Sequence, residues 1–103
     1  MNYKVIRETI NHHLNTFESN KHFIENNIGI DVTKSGYFRV RTEDKTPSCI
    51  INKNGSFHDF GSGEHYGDIV SLLFDGYLAF DSLPETLMWV SGELGICLET
   101  YHE

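Results

Sequence analysis

No lysine or arginine follows position 53 in this 103-residue chain. The remaining positions carry nine acidic residues, and the formal charge is −7. That balance excludes a protein that coats nucleic acid by charge alone. The first 53 positions hold all eight basic residues against six acidic ones, a net +2. The uneven split reads either as a solvated acidic surface or as two faces, one mildly basic and one acidic, for two different partners.

Cysteine is as scarce. Cys49 and Cys97 are the only two, both in apolar settings and in no C-x-x-C pair. They read as reduced core residues of a cytoplasmic protein. No apolar run approaches the roughly 20 residues of a membrane span. Met1-Asn2-Tyr3-Lys4 lacks the hydrophobic stretch of a signal peptide. The chain also lacks a G-x-x-x-x-G-K phosphate loop, a nucleophile elbow and a carboxylate set for two-metal chemistry. Glu43 and Asp44 are adjacent, and neighbours on a turn seldom point together, so they order the turn. No enzyme is expected. His58, His65, Asp59 and Cys49 have no ligand spacing, so neither a metal nor any other cofactor is expected.

One domain fits the length. Ile6, Ile10, Leu14 and Phe17 repeat on one helical face and predict a helix over 3–17. Ser19-Asn20 is placed to cap a short second helix with Phe23 and Ile24. Strands are expected at Tyr37–Arg41, Cys49–Asn52 and Ser56–Phe60, with Cys49 and Ile51 inward. Asn54-Gly55 is a two-residue hairpin signal between the last two. Asp59-Phe60-Gly61-Ser62-Gly63 is a glycine-rich knuckle. Asp68 opens a central helix through Asp75 rich in Ile69, Val70, Leu72 and Leu73. Ser82 caps a last helix with Pro84 in its first turn, stopping at Gly95. The fold class is therefore α+β, a small antiparallel β-sheet packed with N-terminal and C-terminal helices.

Three segments together carry a resemblance. Glu43-Asp44-Lys45-Thr46-Pro47-Ser48 precedes the hairpin, Phe60-Gly61-Ser62-Gly63 and Gly67-Asp68 follow it, and Leu83-Pro84-Glu85-Thr86 leads to Trp89 and Leu94-Gly95-Ile96. This frame resembles the zinc-ribbon domain of bacterial and phage DnaG-type primases. It covers roughly residues 23–96, with 1–22 as a helical extension. All four zinc positions of the family differ: its ligands fall on Arg39, Thr42, Asp59 and Ser62. The resemblance implies a zinc-ribbon-like fold without zinc. An Arg39–Asp59 ion pair, helped by the Thr42 and Ser62 hydroxyls, is expected to fill the vacated site.

In that family polymer synthesis belongs to another domain, and this one contacts the single-stranded template. The resemblance implies a non-catalytic accessory protein of DNA replication from a phage or mobile element, with a primase, polymerase or helicase supplied separately. Single-strand binders combine cations with exposed aromatic platforms. The candidates are Lys34, Tyr37, Arg41, Lys45, Lys53, Phe57, His58 and Tyr66, whereas Phe60 is expected in the core. A partner surface is expected at Tyr77, Leu78, Phe80, Asp81 and Glu85. The alternative function is an acidic protein-interaction module, an inhibitor or DNA mimic that binds no nucleic acid.

Overall fold

The computed structural model describes residues 2–39, 47–77 and 80–96. The chain forms an α+β domain. Helix α1 spans Tyr3–His13 and α2 spans Phe17–Phe23, the latter widening into a π-helical turn at Ile24–Ile28. Four short strands follow: β1 Tyr37–Phe38, β2 Cys49–Ile51, β3 Phe57–Asp59 and β4 Glu64–Tyr66. Helix α3 begins at Ile69–Ser71 and widens at Leu72–Tyr77, and α4 spans Leu83–Leu94. The sheet is antiparallel throughout, in the order β1-β2-β3-β4.

The helix expected over 3–17 is two helices. The backbone turns after His13, and Thr16 starts α2 with a reciprocal capping box to Ser19. Phe17 therefore belongs to α2, and Thr16 rather than Ser19-Asn20 is the cap. Asn20 is fully buried instead, and its side-chain amide donates to the Leu14 and Thr16 carbonyls at 2.9 Å each. It staples the corner between the two helices.

Periodicity explains the core. Ile6 and Ile10 of α1, Phe23 and Ile24 of α2, and Leu87 and Val90 of α4 are all at most 2% exposed. They meet Phe38, Cys49, Ile51 and Phe57 from one face of the sheet, as expected for Cys49 and Ile51. Ile69, Val70, Leu72 and Leu73 are buried as the sequence predicts. Ile6, Ile10 and Leu14, from the first 22 residues, belong to this same core. Three expected strands became four, because the knuckle turns the chain back into β4. The central helix runs two residues further than expected, to Tyr77, with Gly76 inside its wide turn.

Asp68 ties the N-terminal helix to the rest. Its side chain caps α3 by accepting the Ser71 amide at 2.8 Å. It also accepts two bonds from the Arg7 guanidinium, at 3.0 and 3.1 Å, and one from Asn11 at 2.8 Å. Burial pushes the Asp68 carboxyl up, but Arg7, the Ser71 amide and Asn11 outweigh it and hold the group below its ordinary value.

The β2–β3 turn docks on the α1–α2 corner. Gly55 has φ +85°, and a Cβ there would lie 3.0 Å from the Asn15 carbonyl carbon. Both the left-handed backbone and the close approach require glycine.

Candidate nucleic-acid interface

The helices cover only one face of the sheet, so side-chain alternation leaves the other face outward. Strand register sets the outward row: Tyr37 pairs with Ile50, Ile50 with His58, and His58 with His65. Phe60, two residues beyond His58, extends it. Tyr37 is 37% exposed and Phe60 57%. Their rings stack with centroids 6.3 Å apart and planes 29° apart. His58 tilts against Phe60 at 4.4 Å. Three rings thus form one platform on solvent.

The turn after β3 fixes that platform. Asp59 points to the opposite, core face and is 1% exposed. Its carboxylate accepts the Gly61 amide at 2.9 Å, with the Ser62 amide at 3.4 Å. The Phe60 amide donates to the Ser48 carbonyl at 2.7 Å. Phe60 is therefore held outward by a backbone bond and a buried carboxylate.

Two grooves border the platform. One, of about 430 Å³, is lined by Tyr37 and Arg39 with Asp31 and Pro47. The other, of about 460 Å³, is lined by Ile50 and Lys53 with Phe17 and Ser35. Because Tyr37 and Ile50 are cross-strand partners, the grooves flank one continuous surface. Lys34, Arg39 and Lys53 are exposed.

Several expected contacts are corrected. Phe57 is 0% exposed and packs edge-on against Phe38 at 6.1 Å, so it cannot stack on a base. Tyr66 is 7% exposed and lies in the core. Burial, with Asp59 and Glu64 nearby, pushes its phenol pKa up. Phe60, expected inside, is the most exposed ring of the platform. The exchange of Phe57 and Phe60 follows from register, which sends residues 57 and 59 to the core face and 58 and 60 outward.

Of the four positions that the primase resemblance aligns with zinc ligands, Asp59 is buried in the turn and Arg39 is exposed at the end of β1. Ser62 is exposed, and its hydroxyl accepts the Glu64 amide at 3.3 Å rather than filling an interior site. Thr42, Arg41 and Lys45 lie outside the described residues. So do Leu78 and the side chain of Tyr77. Of the remaining partner-surface candidates, Asp81 and Glu85 are exposed, whereas Phe80 packs against Trp89 at 5.9 Å and is partly buried. Met88, 50% exposed on α4 near Glu85, was not anticipated, because helical spacing alone does not mark it.

Among the described residues no group of three or more His, Cys, Asp or Glu is arranged to hold a metal. No helix among them is long and apolar enough to cross a membrane. No protein-family model matches the chain, and no curated protein or solved structure matches it. The primase resemblance accordingly stands on the sequence motifs alone.

Proposed function

We propose that this protein is a non-catalytic, cytoplasmic accessory factor of DNA replication. It binds single-stranded template and works with a primase or polymerase supplied separately, in the setting of a phage or mobile element. The observation that carries this reading is the outward platform of Tyr37, Phe60 and His58, bordered by Lys53 and Arg39. Single strands are bound by aromatic faces that stack bases beside cations that meet phosphates. Few phosphates can be neutralised here and the net charge is repulsive, so binding is weak and salt-sensitive.

The test is fluorescence anisotropy with labelled oligo-dT at two salt concentrations, with and without a candidate primase or polymerase. Each stacked base contributes about 1–3 kcal/mol, so Phe60→Ala or Tyr37→Ala is expected to weaken binding at least about fivefold. Binding that ignores both substitutions overturns the reading.

A second reading has its own observation. The outward side of α4 presents Glu85, Met88 and Glu93, an apolar tip between acids. That surface suits a basic protein partner. A stable partner complex without any oligo-dT binding would favour it.

A further inference from the structure

We propose that His58 and His65 form a two-histidine site for a divalent transition-metal ion on the outer face of the sheet. The two residues are 7 apart in sequence, a spacing that signals no metal motif. Strand pairing makes them direct neighbours, His58 of β3 opposite His65 of β4. Their Nδ1 atoms are 3.1 Å apart, and the rings meet at 83° with centroids at 4.0 Å.

That separation is what a chelate needs. With metal–nitrogen bonds of about 2.0–2.1 Å, two nitrogens 3.1 Å apart subtend about 100° at the ion. The value lies between the cis angle of an octahedral or square site and the tetrahedral angle. A modest rotation of each ring swings its lone pair from the other nitrogen onto a shared ion. The backbone of both residues is already fixed by the ladder, so chelation orders little more than two side chains.

Access and chemistry agree. His65 is exposed and His58 is half-exposed at the rim of the aromatic platform. Imidazole suits Zn²⁺, Ni²⁺ and Cu²⁺ and gives little to Mg²⁺ or Ca²⁺. No third His, Cys, Asp or Glu completes the set among the described residues. The ion would keep open positions for water or for an oxygen of a bound molecule. The site is exchangeable and lies on the outward face of the sheet, opposite the core face on which Asp59 is buried. It does not depend on the single-strand reading.

The test titrates the full chain, prepared without a histidine tag, with Ni²⁺ and separately with Zn²⁺ by calorimetry. The expected result is one ion per chain. His58→Gln or His65→Gln is expected to weaken affinity about tenfold or more, whereas His12→Gln/His13→Gln leaves it unchanged. Both single variants alter exposed or half-exposed side chains, and circular dichroism checks that they fold. Paramagnetic broadening by Ni²⁺ in the NMR spectrum of the unaltered chain gives an independent readout, centred on residues 58 and 65. Absence of one-to-one binding, or binding lost in the His12/His13 variant and kept in His58→Gln and His65→Gln, overturns the proposal. So does broadening centred elsewhere.

Discussion

Asp68 clamps α1 to the start of α3, and its replacement tests that account most directly. Its side chain is 17% exposed and that of Arg7 32%. The bond to the Ser71 amide is an N-cap, worth about 1 kcal/mol. The charge-assisted bonds from Arg7 contribute about 1.5–3 kcal/mol, toward the low end given the exposure of Arg7. Asp68→Ala removes both, takes the acceptor from Asn11 and leaves Arg7 with only its bond to the Ser71 hydroxyl at 2.7 Å. The expected loss is about 2–4 kcal/mol, or roughly 10–20 °C in Tm for a domain of this size. Asp68→Asn keeps a capping oxygen and loses the charge, so it is expected to cost about 1–2 kcal/mol. Urea unfolding at neutral pH measures both. Combining Asp68→Asn with Arg7→Met completes a double-mutant cycle, with an expected coupling of about 1–2 kcal/mol. Equal losses for Asp68→Ala and Asp68→Asn, or a coupling below about 0.5 kcal/mol, would refute the reasoning.

The pH dependence supplies a second arm of the same test. The folded carboxyl titrates below its unfolded value of about 3.9. Its contribution is therefore fully present above that value and is lost as pH falls through the folded pKa. The stability gap between the unaltered chain and Asp68→Asn should be constant near neutrality and shrink in acid. A gap that does not change down to about pH 3 contradicts the assignment.

Four further outcomes are expected. Gly55→Ala should cost about 1–3 kcal/mol in thermal or urea unfolding, because it combines a left-handed backbone with a Cβ against the Asn15 carbonyl. Asp59→Ala should destabilise by about 1–3 kcal/mol through the orphaned Gly61 amide, while Asp59→Asn keeps the accepting oxygen and recovers part of it. A double-mutant cycle with Arg39→Met asks whether the proposed Arg39–Asp59 pair contributes, and strict additivity would dispose of it. Tyr66 is buried with a raised phenol pKa, so its share of stability holds below its unfolded pKa of about 10 and falls as pH rises beyond it. Alkaline unfolding monitored by phenolate absorbance should soften in Tyr66→Phe.

Much of the fold was legible in the residues. The apolar repeats of α1, α3 and α4 and the Asn54-Gly55 turn each followed from a local rule. What escaped notice depended on pairings that no local rule sets. The break after His13 is fixed by Asn20 reaching back to Leu14 and Thr16, six and four residues away. β4 is three residues long, too short to carry alternation, and only its pairing with β3 makes it a strand. The aromatic platform is half legible in the sequence: Tyr37 and His58 read as outward, but Phe57 and Phe60 exchange places. In a strand one position of offset reverses every assignment, and both residues are equally apolar. The His58–His65 contact had no sequence signal, since seven residues of separation become adjacency only through the knuckle.

The two faces of this sheet divide the labour. Asp59 sits on the core face and closes the turn after β3 by accepting the Gly61 amide. Arg39 and Ser62, by contrast, are exposed. Stability on the described residues therefore resides in the helix-facing row of Phe38, Cys49, Ile51, Phe57 and Asp59, and in the Arg7–Asp68 clamp. The outward row of Tyr37, His58, Phe60 and His65 contributes little burial and is free to serve a ligand. Substitutions there should alter binding at nearly constant unfolding free energy, within about 0.5 kcal/mol. A large loss of stability from Phe60→Ala would mean that the platform belongs to the core, and the case for an interface on that face would fall with it.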